Sequence, residues 1–187
     1  MKKIINDVAS VEEQMIQGLV KAAPDMLRKL EYGTIVVRAQ RKQGQVALVS
    51  GGGSGHEPAH AGYVGKGMLD CAVAGTVFTS PTPDQVLEGI KAVATDQGVL
   101  CVVKNYTGDI MNFEMAVEMA ADEGIKAEYV VVNDDVAVKD SLYTTGRRGV
   151  AGTILVHKIA GAKAEEGADL KAVKEVAEKV IANVRTM

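Results

Sequence analysis

Residues 98–105, Gly-Val-Leu-Cys-Val-Val-Lys-Asn, set five consecutive apolar side chains between a glycine and a lysine. A strand turns alternate side chains to opposite faces, so a strand apolar at every position needs cover on both faces. An open sheet with one wet face is excluded, and helices on either side are required. The neighbouring segments supply both elements. Residues 34–38, 45–50, 70–75 and 127–134 are short β-branched or apolar runs bounded by glycine or polar residues, and they read as further strands. Between them lie helical periods at 11–23, 82–94 and 110–123, with two more at about 151–164 and 169–185. Ser10 stands where the first helix needs a cap and Pro24 just past its end; Thr82, Pro83 and Asp84 open the second with a cap, a proline at the first position and an acid at the positive end of the dipole. Strand, loop, helix, strand in alternation predicts a single α/β domain whose central sheet is largely parallel or mixed and is flanked by helices.

In such a sheet, ligands bind beyond the carboxyl ends of the strands. The loops that qualify are 50–58, 104–109 and 133–148, so the chemistry is sought there. The first begins Ser-Gly-Gly-Gly-Ser-Gly-His-Glu-Pro-Ala-His, which admits several readings. His56-Glu57-Pro58-Ala59-His60 has the letters of a zinc motif, but that motif needs both imidazoles one turn apart on a regular helix, and Pro58 among so many glycines favours a turn. A third ligand could be nominated from Glu88, Glu114 or Glu118 only by distance along the chain, and no metal site is expected. A dinucleotide fingerprint fails because His56 takes the place of its third glycine; a phosphate loop of the Walker type fails because Gly62–Gly67 has the wrong count and no hydroxyl after Lys66. What remains is a loop of approachable N–H groups able to hold the oxygens of a small polyol, carbonyl or phosphate, set against the plainer reading of glycines needed for close packing.

The second loop brings Lys104, Tyr106 and Asp109 to the same end of the sheet. Lysine directly after an apolar strand predicts that Lys104 faces a cleft. Asp109 is either a helix N-cap or a catalytic carboxylate. In the third loop, Asp134, Asp135, Lys139, Asp140, Arg147 and Arg148 could meet a phosphorylated group or a partner, against the commoner case of a solvated charged loop. His60 reads as a residue that supports the site from behind or packs, and His157 as structural.

Composition removes other classes. A formal charge of -3 with 4% aromatic residues and no tryptophan gives neither a basic surface nor stacking platforms, so nucleic acid is not an expected partner. No apolar run approaches the length of a membrane span, and acids soon after the amino terminus interrupt any secretory core, so the expected compartment is the cytoplasm. Cys71 and Cys101 sit singly in apolar segments and are expected as buried free thiols.

Taken together, LVSGGGSGHEPAHAGYVGKGML at 48–69, FTSPTPDQ at 78–85, VVKNYTGDIMNFE at 102–114, the stretch 134–162 and IINDV at 4–8 resemble the substrate-binding subunit of the dihydroxyacetone kinase family. The resemblance covers nearly the whole chain. It implies a dihydroxyacetone site formed by Gly53, Ser54, Gly55, His56, Lys104 and Asp109, with Asp109 as base for the attacking hydroxyl and His56 as the orienting acid/base. It also implies that no cofactor sits on this chain, because the family holds nucleotide and magnesium on a separate kinase subunit or domain, either as ATP or as ADP rephosphorylated by a phosphotransferase-system protein. A homodimer is a further expected assembly. Family members carry a second half with a histidine that bonds covalently to the substrate carbonyl, and none of the three histidines here matches it. Residues 1–187 are therefore expected to be the first, dihydroxyacetone-binding domain of the kinase, with a shortened non-catalytic relative as the other reading. The competing function is a sensor or co-activator that binds dihydroxyacetone without phosphorylating it; a zinc hydrolase stands third.

Overall fold

The structure, a computed structural model, describes residues 3–40, 43–139 and 141–187. Asp140, one of the charged residues singled out in the third loop, lies outside the described residues, as do Met1 and Lys2. A six-stranded sheet forms the centre, in the order β1-β2-β4-β3-β5-β6. Its strands are β1 (Leu27–Lys29), β2 (Ile35–Arg38), β3 (Ala47–Ser54), β4 (Cys71–Val77), β5 (Val99–Lys104) and β6 (Ala127–Val132). β4, β3, β5 and β6 run parallel, while β2 pairs antiparallel with both β1 and β4. The sheet is mixed, with its parallel part holding the expected site.

Alternation along β3 and β5 divides the core. Leu48, Leu100 and Val102 face helices α1 (Val11–Ala22), α4 (Thr153–Glu165) and α5 (Leu170–Asn183), where they pack with Ile16, Val156 and Leu170. Val49, Cys101 and Val103 face α2 (Pro83–Val93) and α3 (Thr107–Asp122) and pack with Ile90 and Phe113. The apolar strand at 99–103 is covered on both sides as its sequence requires. Cys71 and Cys101 are buried free thiols, and burial pushes the Cys101 thiol up to about 12.

Local chemistry sets the ends. Thr82 and Gln85 form a reciprocal capping box at the start of α2, with Pro83 in the first turn. Ser10 occupies the N-cap of α1 but does not cap it; its hydroxyl donates to the Asp7 carbonyl at 3.3 Å. Two boundaries depart from the sequence reading. α3 begins at Thr107, so Asp109 lies inside its first turn and the N-cap is Tyr106. β3 does not stop at Ser50: Gly51, Gly52 and Gly53 continue as strand, in register with Val73, Ala74 and Gly75 of β4. Bare backbone there lets β4 and the turn after it close in. A Cβ on Gly53 would stand 2.6 Å from the Thr79 nitrogen, nearer than any side chain tolerates.

Candidate functional site

Beyond the carboxyl ends of β3 and β5, Gly53, His56, Ser80, Lys104 and Asp109 line a cavity of about 350 Å³. Phe78, Tyr106, Tyr143 and Arg148 form the rest of its wall. Of the six residues expected to form the substrate site, four therefore meet there: Gly53, His56, Lys104 and Asp109. Ser54 does not line it, because its hydroxyl is buried and donates to the Gly75 carbonyl at 2.7 Å. Gly55 borders an adjoining cavity of about 400 Å³, which shares His56, Lys104 and Tyr106 with the first.

Asp109 is only 5% exposed. Its Oδ1 accepts a hydrogen bond from Ser80 Oγ, which leaves Oδ2 for other partners. Burial raises its proton affinity, while the Ser80 bond and the charge of Lys104 hold it down. Lys104 is 7% exposed and its Nζ lies 5.7 Å from the centre of the Tyr106 ring. Burial lowers its pKa, opposed by Asp109 and Asp134. A point one bond above Gly52 lies 3.6 Å from His60 Nε2, 3.8 Å from Asp109 Oδ2 and 3.8 Å from Lys104 Cε, so a cation and a carboxylate converge over a strand with no side chain between them. A carboxylate of raised proton affinity beside an ammonium can take a proton from a hydroxyl while the lysine steadies a neighbouring oxygen.

His56 follows β3 in a turn. Burial and then Lys104 lower its pKa, with Glu57 acting the other way, so the imidazole favours its neutral form. Glu57 is fixed by the Gly55 amide, which donates to both of its carboxylate oxygens at 3.1 Å. Residues 56–60 form turns rather than the helix a zinc motif needs, and His60 is buried. Among the described residues, no group of three or more His, Cys, Asp or Glu side chains is placed to hold a metal ion.

His60 and His157 are more than separate packing residues. Ser50 Oγ donates to the Val102 carbonyl at 2.6 Å, so that hydroxyl's proton is committed. His60 Nδ1 stands 3.3 Å from Ser50 Oγ and 3.2 Å from His157 Nε2, so one shared proton can join the two rings. His60 Nε2 is buried, faces the backbone at Gly52, and has no hydrogen-bond partner among the described residues.

The third loop divides. Asp134 is wholly buried and accepts from the Val150 and Gly152 amides, each at 2.8 Å, and from the Thr186 hydroxyl, fastening the end of the loop and the last residues to the start of α4. Asp135 pairs with Arg148 at 2.7 Å. Arg147 instead lines a groove of about 700 Å³ along the outer side of β6, so the two arginines do not act at one place. Asn105, which the sequence reading passed over, holds the loop in position: its amide donates to the Thr145 and Arg147 carbonyls at 3.1 and 2.7 Å and accepts from Thr144 at 3.0 Å. Ser80 and Phe78 were also missed; both lie in the FTSPTPDQ stretch, whose unusual composition was the available signal.

A three-layer α/β fold with an acid, a lysine and an imidazole gathered at the carboxyl ends of parallel strands has the space and the polar groups to take a small polar molecule. Residues 17–187 match the Dak1 domain family, and the chain belongs to it. It is 61% identical, over 187 residues, to the dihydroxyacetone-binding subunit DhaK of PTS-dependent dihydroxyacetone kinase 1 from Listeria innocua serovar 6a, covering 100% of this chain and 57% of that protein. The dihydroxyacetone kinase structure from C. freundii superposes with a TM-score of 0.92 at 45% identity, over 97% of this chain and 34% of that one. The dihydroxyacetone kinase operon co-activator Dha-DhaQ superposes with a TM-score of 0.83 at 40% identity, over 89% of this chain and 51% of that one. The chain spans about half the length of the curated relatives it matches.

Proposed function

We propose that this chain is the dihydroxyacetone-binding domain of a dihydroxyacetone kinase, presenting one hydroxyl of the ketone for phosphorylation. The observation that carries the reading is the convergence of Gly53, His56, Lys104 and Asp109 on one cavity of about 350 Å³. Asp109 Oδ2 takes the hydroxyl proton as the oxygen attacks the phosphoryl group, Lys104 and the Gly53 backbone hold substrate oxygens, and neutral His56 orients the acceptor. Ser54 and Gly55 shape the strand end rather than reach the ketone with side chains. Nucleotide and magnesium belong to a partner subunit or domain, and kinship with a PTS-dependent enzyme supports a phosphotransferase-system donor over free ATP. In this reading residues 1–187 are the first domain of a longer cytoplasmic protein that dimerises, and the covalent histidine of the family comes from the second half.

The test is calorimetric titration of the chain with dihydroxyacetone and with glycerol, alongside intact mass after borohydride treatment. Saturable binding of the ketone without a mass adduct supports the assignment, and no binding refutes it. The likeness to the co-activator Dha-DhaQ favours a second reading, a dihydroxyacetone sensor. Dihydroxyacetone phosphate formed when the chain is mixed with a nucleotide-bearing kinase subunit favours the kinase; binding without turnover favours the sensor.

A further inference from the structure

Phe78 has a φ of 54°, and among the described residues it is the only residue other than glycine in the left-handed region. A bulky aromatic side chain makes that conformation sterically unfavourable. Burial does not compensate, because the residue is 71% exposed. What holds it is the docking of its turn on β3. The Phe78 amide donates to the Ser54 carbonyl at 2.8 Å and the Thr79 amide to the Thr76 carbonyl at 2.9 Å. Gly53 and Gly55 leave the space: a Cβ on Gly53 would lie 2.8 Å from the Phe78 carbonyl carbon, and one on Gly55 would lie 2.8 Å from the Phe78 ring. The strained backbone swings the ring over Gly55 to the next residue, His56, which it meets edge to face with centroids 5.3 Å apart and planes at 70°. Both rings line the cavity.

We infer that Phe78 is a positioning residue for His56, its ring held by a strained backbone so that the imidazole is fixed at the mouth of the cavity. The inference rests on the reading of that cavity as the dihydroxyacetone site. An edge-to-face pair restricts the imidazole's rotation, and the ring shields one side of it from water. The charged groups that act on His56 are Lys104 of β5, which disfavours its protonation, and Glu57 of its own turn, which favours it; loss of the ring leaves both in place and removes shielding alone. Strain kept at an exposed residue beside a site is expected where the geometry serves the ligand.

Phe78→Gly separates this role from a structural one, because glycine accepts the left-handed backbone and removes only the ring. Its melting temperature should equal or exceed that of the parent, the His56 midpoint followed by NMR should rise toward that of a free imidazole, and affinity for dihydroxyacetone should fall roughly two- to tenfold, the worth of one aromatic pair. Phe78→Tyr keeps the ring and should restore affinity and midpoint together. A His56 midpoint unmoved in Phe78→Gly overturns the inference, as does unchanged affinity. If the parent binds no dihydroxyacetone, the assignment of the cavity fails, and the His56 midpoint alone then decides whether Phe78 positions that ring.

Discussion

His60 Nδ1 and His157 Nε2 stand 3.2 Å apart at a place where both rings are withdrawn from water. Burial, reinforced by their mutual proximity and by Lys104, holds the His60 pKa well below that of a free imidazole, and burial brings His157 to about 3. The unfolded chain protonates both near pH 6.5, whereas the folded chain keeps both neutral. The unfolded state therefore binds more protons in acid, and stability present above pH 6.5 is lost as the pH falls toward 3. The loss is up to about 1.4 kcal/mol per pH unit for each ring. Thermal melts between pH 7 and 4 should show a steep fall that is shallower in His157→Gln; parallel slopes in the two proteins would remove the buried pair as its source.

The glycines of β3 are not equivalent. A methyl group on Gly53 meets the backbone of Phe78 and Thr79 below 3 Å, whereas one on Gly52 meets nothing nearer than His60 Nε2 at 3.6 Å. Gly53→Ala should destabilise the fold by about 1–3 kcal/mol, the usual result of overpacking. Gly52→Ala should keep the parent's melting temperature and yet weaken dihydroxyacetone binding, because its methyl occupies the space between Lys104 and Asp109. Calorimetry and denaturant melts of the two variants decide it; a Gly52→Ala protein that binds as well as the parent would show that this space is not used.

The parts of the fold legible in the sequence are those whose cause is local. Five apolar residues at 99–103 demanded two covering layers, and Thr82, Pro83 and Asp84 wrote the start of α2. β1, only three residues long, carried no period to read. Gly51–Ser54 looked like a loop because glycine weakens any strand pattern; the reason they extend β3 is the approach of β4 and the Phe78 turn, which lie more than twenty residues onward. Separation along the chain also hid the Ser80–Asp109 bond and the His60–His157 contact, since no spacing rule joins such residues. The sequence leaves Asp109 as a cap or a catalytic carboxylate, and it lies inside the first turn of α3, lining the cavity.

Asn105 joins the end of β5 to the loop above the cavity through bonds to Thr144, Thr145 and Arg147. Asn105→Ala removes all of them and leaves the loop held by Asp134, by the Arg148–Asp135 pair and by the bond from the Thr107 hydroxyl to the Tyr143 carbonyl. Brief trypsin digestion should then cut at Arg147 or Arg148 several times faster than in the parent, while the melting temperature falls by only a few degrees, in line with a loss of about 1–2 kcal/mol. Equal cleavage rates would mean that the loop is held from elsewhere.

Asp109 offers the sharpest division between stability and chemistry. Burial raises its folded pKa above the unfolded value, so the folded state binds this proton more tightly than the unfolded chain does. The associated stability is complete below the unfolded pKa of about 3.9 and is lost as pH rises through the folded value, which leaves a buried, ionised carboxylate at neutral pH. Asp109→Asn accepts the Ser80 hydrogen bond through its amide oxygen and carries no charge. At pH 7 its melting temperature should match or exceed the parent's, and the difference should vanish in acid, where Asp109 is already neutral. Binding of dihydroxyacetone should survive within about tenfold, because the amide still accepts or donates one hydrogen bond. Phosphoryl transfer to the ketone, assayed with a nucleotide-bearing kinase subunit, should fall by about 10²–10⁴, the typical worth of a general base. Turnover that persists in Asp109→Asn would assign the proton to another group, with His56 the next in reach of the cavity.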